Sequence, residues 1–121
     1  MKILIIDDDN FFQKFYANKL REAGYEVSVA SDGEEGWGKI KTASPDLILL
    51  DLIMPKKDGF DVLRLIKNDE KIKKIPVIVF STLDQKEEME EAKKLGAKEF
   101  INKGIGDFSS TLAQITSLIH K

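Results

Sequence analysis

Four apolar runs in this chain end in residues that could do chemistry together. Ile3–Ile6 leads into Asp7, Asp8 and Asp9, and Leu47–Leu50 leads into Asp51. Val77–Phe80 leads into Ser81 and Thr82, and Phe100–Ile101 with its flanks leads into Lys103; one further run, Val27–Ala30, ends in Ser31 and Asp32, which read as capping residues. Two or three carboxylates crowded at one place repel one another. The usual remedy is a hard divalent cation with oxygen ligands, most often Mg²⁺ where a phosphate is also bound. A hydroxyl from Ser81 and an ammonium from Lys103 supply the donor and positive charge that a phosphoryl group's outer oxygens want. Acids, a hydroxyl and a lysine gathered at one edge would make a phosphoryl-transfer site. The sequence carries no Gly-rich phosphate loop for a nucleotide.

These residues meet only if the runs are neighbouring strands. Short, aliphatic, β-branched runs apolar on both faces suit parallel strands covered by helices on each side. Helical spacing fills the gaps. Phe11, Phe12, Phe15, Tyr16, Leu20 and Ala23 form one stripe, stopped by Gly24. Asp32 is placed to cap a helix carrying Trp37 and Ile40, weakened by Gly36 and Gly38. Asp58 precedes a third helix with Phe60, Val62, Leu63, Leu65 and Ile66. Asp84 to Leu95 is a charged rod with a thin stripe of Met89, Ala92 and Leu95. The last helix carries Phe108, Leu112, Ile115 and Ile119. Alternating β and α units of this length imply right-handed crossovers and a doubly wound, α/β parallel sheet, (βα)₅, of flavodoxin-like order 2-1-3-4-5. In that order the first and third strands are neighbours and their exits face one crevice, which brings two or three of the carboxylates among Asp7, Asp8, Asp9 and Asp51 close together. The expected organisation is one domain over 1–121.

Composition narrows the alternatives. The chain has 121 residues, 42% hydrophobic and 33% charged, enough to bury a core. Net charge is −2 with no basic stripe, which argues against direct nucleic-acid binding. Without cysteine there is no disulfide, thiolate site or cysteine nucleophile. The single histidine, His120, leaves no zinc cluster and no core general base. The apolar start is too short for a signal peptide or a membrane span, so no membrane insertion and a reducing cytoplasm are expected.

At this point the motifs resemble a known family. Ile-Ile-Asp7-Asp8, Leu-Leu-Asp51-Leu-Ile-Met54-Pro55 with Asp58-Gly59, Val-Phe-Ser81-Thr82, Leu95-Gly96-Ala97 and Phe100-Ile-Asn-Lys103 match, in order, the response-regulator receiver pattern of two-component signalling. The resemblance covers the whole chain, five motifs in register with five strands. It implies that Asp51 is the phosphoacceptor, forming an acyl phosphate. Asp8 would ligate Mg²⁺ directly, Asp7 directly or through water, and Asp51 and the backbone carbonyl of Ile53 would complete the protein's share. Ser81 would hydrogen-bond the phosphoryl group and Lys103 would pair with it. Phe100 matches the aromatic position that turns inward when the hydroxyl residue moves. The implied partners are a sensor histidine kinase or histidine phosphotransfer protein, and a downstream effector met through the face of the fourth helix, fifth strand and fifth helix. Here that face would involve Lys86 to Lys94 and the exposed side of Phe108 to Ile119. Such a domain is not a free-standing enzyme, although it assists its own phosphorylation and dephosphorylation.

Two departures from the family pattern stand out. Gly104, where proline is usual, implies a looser loop before the last helix. Ile53 and Leu83 stand two residues after Asp51 and Ser81, beside the path of the hydrolytic water. Apolar side chains cannot orient water, so slow loss of the phosphoryl group is expected. Two rival readings exist. Asp7-x-Asp9 resembles the haloacid-dehalogenase nucleophile motif, which would make Asp7 the nucleophile; a degenerate receiver would be a pure interaction module. The complete acid, hydroxyl and lysine set argues against the second, and Asp9 reads as solvent-facing or as a helix cap.

Overall fold

A computed structural model describes residues 1–52, 54, 58–81, 86–102 and 113–117, the side chains of Ser81 and Asn102 excepted. Five parallel strands, β1 (Lys2–Ile6), β2 (Glu26–Ala30), β3 (Leu47–Leu50), β4 (Val77–Ser81) and β5 (Glu99–Asn102), form one sheet in the order β2-β1-β3-β4-β5. Helices α1 (Asn10–Glu22), α2 (Gly33–Ala43), α3 (Gly59–Lys67) and α4 (Lys86–Lys94) lie between them, with a short 3₁₀ turn at Ile72–Lys74. Residues 113–117 are helical, within the span expected for the last helix. The doubly wound α/β reading, with its strand order, therefore holds.

Alternation along the strands explains the layering. Leu4, Ile6, Ile48, Leu50, Val77 and Val79 point to one face and pack with Ile40 of α2, Val62, Leu63 and Ile66 of α3, and Ala92 of α4. Ile3, Ile5, Leu47, Leu49, Ile78, Phe80 and Ile101 point to the other, against Tyr16, Ala17 and Leu20 of α1 and Ile115. Because side chains alternate with a period of two, these runs must be apolar throughout to fill both cores. At the edge, β2 departs from this: Glu26 and Ser28 are exposed while Val27 and Val29 are half-buried. Phe12, Tyr16 and Phe80 form an aromatic cluster on the α1 face, with ring centroids 4.4 to 5.1 Å apart.

α1, α2 and α3 are each started by an aspartate. Asp9 caps α1, its side chain accepting from the Phe12 N–H (3.1 Å). Asp32 caps α2, accepting from Glu35 (2.8 Å). Asp58 caps α3 in a reciprocal box, accepting from Asp61 N–H (3.0 Å) while the Asp61 carboxylate accepts from Asp58 N–H (3.3 Å). A carboxylate there satisfies orphan donors and faces the positive end of the helix dipole.

Candidate functional site

β1 and β3 lie side by side in register, Ile6 opposite Leu50, so the residues that leave them emerge together. Backbone bonds hold both exits in line with the ladder: Asp7 N–H donates to Ala30 C=O (3.0 Å) and Asp51 N–H to Ile6 C=O (2.9 Å). Asp7, Asp8 and Asp51 each present a carboxylate oxygen, and these oxygens all lie within 4.8 Å of one another. Asp7 and Asp51 are only 2% and 6% exposed, whereas Asp8 faces solvent. Two unit charges at that distance repel by about 3 to 4 kcal/mol at an effective dielectric near 20. A cluster of hard oxygen donors with that repulsion to relieve fits a divalent cation such as Mg²⁺ or Mn²⁺.

Local sequence explains how Asp51 comes so close. α3 approaches the β3 exit at Gly59, whose N–H donates to Leu52 C=O (3.0 Å). A β-carbon at Gly59 would lie 2.4 Å from the Asp51 carbonyl oxygen and 2.6 Å from the Leu52 α-carbon. Only glycine permits this contact, because the atoms in the way are backbone. Asp58 starts the helix and Gly59 lets it dock, which together hold the start of α3 against the backbone of Asp51 and Leu52.

The remaining expected site residues fall as follows. Ser81 ends β4 opposite Asn102 of β5, so its backbone stands at the same sheet edge as the acids. Phe100 lies in β5 opposite Val79, half-buried against the α2–α3–α4 core. Ile53, Leu83, Lys103 and Gly104 lie outside the described residues, as do Thr82 and Phe108. Asp9, expected to face solvent or to cap a helix, caps α1, and its N–H donates to Asp7 Oδ1 (2.9 Å).

Sequence reasoning missed Gln13. It is 5% exposed, and its Nε2 donates to the carbonyls of Asp7 (3.1 Å) and Ala30 (3.0 Å). Its spacing with Ala17 and Leu20, four then three, was the available signal: it places a polar residue on the buried stripe of α1. Also unforeseen is the brace on the β2 exit. There the Glu35 carboxylate accepts from Ser31 N–H (2.7 Å) and pairs with Lys39, whose ammonium reaches Val29 C=O.

Comparison with known proteins decides the family. Residues 3–115 match the response regulator receiver domain. The chain belongs to that family. Over 120 residues it is 36% identical to the DNA-binding dual master transcriptional regulator RpaA of Synechocystis, covering 99% of this receiver and 49% of that protein. The receiver thus spans about half the length of this curated relative, and 23% of the Caulobacter vibrioides response regulator PleD, to which it is 37% identical over 106 residues. The Vibrio cholerae chemotaxis protein CheY4 superposes with a TM-score of 0.86 at 29% identity, over 96% of this chain and 95% of that one. The Mn²⁺-bound form of response regulator Rcp1 superposes with a TM-score of 0.83 at 25% identity, over 97% and 90% of the two chains. The protein is therefore a receiver domain of two-component signalling. Among the described residues no helix is long and apolar enough to cross a membrane.

Proposed function

We propose that this receiver accepts a phosphoryl group on Asp51 from a phosphohistidine, carried by a sensor histidine kinase or a histidine phosphotransfer protein. The observation that carries the reading is the convergence of Asp7, Asp8 and Asp51 beyond the ends of β1 and β3, with two of the three carboxylates buried. An oxygen of Asp51 attacks phosphorus in line. The O–P bond forms as the P–N bond to the donor imidazole breaks, and the ring nitrogen leaves with the bonding electrons. The Asp7 and Asp8 carboxylates and the Ile53 carbonyl, together with Asp51, would hold a divalent cation, Mg²⁺ in this reading. When bound, it would offset the repulsion between an anionic nucleophile and an anionic phosphoryl group. Ser81 hydrogen-bonds the transferred group and Lys103 neutralises part of its charge. The work of the chain is thus positioning and electrostatics.

The product is an acyl phosphate on the domain itself, and the output is a change in what the domain binds. In this reading Ser81 and Phe100 carry the change towards the face bordered by α4, where an effector protein docks. The domain does so in the cytoplasm without contacting nucleic acid or membrane itself, and residues 1–121 act as one unit. In support, α4 presents Lys86, Glu87, Glu90, Glu91, Lys93 and Lys94 to solvent over the single buried residue Ala92. The test is intact mass after incubation with Mg²⁺ and acetyl phosphate, on wild type and Asp51→Asn. A gain of one phosphoryl mass, blocked by beryllofluoride and lost in Asp51→Asn, is expected. The same gain in both proteins would move the acceptor elsewhere.

A further inference from the structure

We propose that Gln13 is a positioning residue for the carboxylate cluster: it clamps the Asp7-Asp8-Asp9 turn from both ends, so that the solvent-facing Asp8 is delivered to Asp7 and Asp51. The inference rests on the reading of that cluster as a divalent-cation site. Gln13 holds the turn through two separate groups. Its side-chain Nε2 donates to Asp7 C=O (3.1 Å) at the start of the turn. Its backbone N–H donates to Asp9 C=O (2.9 Å) at the end. The second proton of Nε2 goes to Ala30 C=O (3.0 Å), which also receives the last β1–β2 bond from Asp7 N–H. The amide therefore ties the turn to the end of β2 as well as to α1. Asp8 is exposed. Its place within 4.8 Å of Asp7 and Asp51 follows from the backbone of the turn that carries it.

A buried amide could serve packing alone. An apolar residue of similar length would then fill the same space without the cost of desolvating a polar group. The two shorter contacts of Nε2 are carbonyls at strand exits, one of them of a cluster residue, and a third, longer one is the Ser31 hydroxyl oxygen (3.5 Å). That is the pattern of an outer group orienting metal ligands, whose removal typically weakens metal affinity by about 10- to 100-fold.

The experiment measures Mn²⁺ affinity by water-proton relaxation, alongside the urea midpoint, for wild type, Gln13→Met and Ile66→Val. Ile66 lies in the core on the opposite face of the sheet and serves as a destabilised control. Gln13→Met is expected to raise the Mn²⁺ Kd about tenfold, while Ile66→Val leaves it within about twofold of wild type. Should the methionine variant not fold, Gln13→Asn, whose amide stops one methylene short of the carbonyls, carries the same expectation. Wild-type affinity in a folded Gln13 variant would overturn the clamp and leave the cation site standing. Equal loss in Ile66→Val would reduce Gln13 to a structural role. No Mn²⁺ binding by wild type would overturn the cation reading and the clamp with it.

Discussion

Replacing Gly59 by alanine tests whether the docking of α3 sets the segment after Asp51. The added β-carbon would meet the Asp51 carbonyl oxygen at 2.4 Å, where ordinary contact begins near 3.4 Å. About 1 Å must therefore be found between two pieces of backbone. No side chain can swing away to provide it. Over-packing of this kind costs roughly 1–3 kcal/mol. Lengthening the Gly59–Leu52 hydrogen bond adds about 1 kcal/mol, and the better helix propensity of alanine returns up to about 1 kcal/mol. The expected loss is about 1–4 kcal/mol. Over 121 residues the entropy of unfolding is roughly 0.25 kcal/mol/K, so the melting temperature should fall by about 4–16 °C. The comparison is Gly38→Ala, also in a helix, where an added β-carbon meets nothing within 4 Å. It should raise stability by about 0.5–1 kcal/mol. Chemical and thermal unfolding of both variants give the two numbers. Gly59→Ala as stable as wild type, or Gly38→Ala destabilised to the same extent, would refute the close-approach argument.

Other expectations follow from single features. Phe80→Ala, which empties the centre of the Phe12–Tyr16–Phe80 cluster, should cost about 3–5 kcal/mol in urea unfolding. Ser44 ends α2 in the left-handed region at φ 47°, so Ser44→Gly should stabilise by up to about 1 kcal/mol, read as a raised melting temperature. The Ser31 N–H holds the Glu35 carboxyl below its ordinary 4.5, with Lys39 assisting against desolvation. A depressed acid stabilises above its unfolded value and loses that contribution as pH falls through the folded one. Stability of Glu35→Gln should thus fall less steeply below pH 4.5, by a few tenths of a kcal/mol once solvent screening is counted. Finally, the phosphorylated domain should lose its phosphoryl group slowly, and Ile53→Asn should speed the loss. A half-life of seconds that Ile53→Asn leaves unchanged would defeat the argument from apolar neighbours of the water path.

Much of this architecture was legible because each run had to be apolar on both faces. Leu47–Leu50 is identical in sequence reading and structure, and Ile3–Ile6 and Val77–Phe80 each gain one residue. Those added residues, Lys2 and Ser81, are polar, and hydrophobicity cannot mark an end where backbone pairing outruns it. The short Ile72–Lys74 turn left no periodic trace, since three residues are too few to show one. The acids were readable as a group because strand order alone brings the exits of β1 and β3 together. Gln13 was only half legible: its spacing with Ala17 and Leu20 marks the buried stripe, but its carbonyl partners, one of them 17 residues away, leave no mark in the sequence. Gly59 was visible as a turn residue, but its role as the floor under Asp51 depends on a helix-to-strand distance that sequence does not carry.

The strand order also has a consequence for synthesis. β1 sits between β2 and β3, yet it is made before both. Its second neighbour, ending at Leu50, follows about 44 residues later, which at 5–20 residues per second is roughly 2–9 s of translation. Throughout that interval Ile3–Ile6, apolar on both faces, has at least one open edge on the ribosome. Pausing after Ile6 has emerged and before Leu50 has emerged would lengthen the exposure, whereas pausing after Leu50 has emerged would not. Yield of folded protein should therefore respond to slow translation within that interval far more than to slow translation after it.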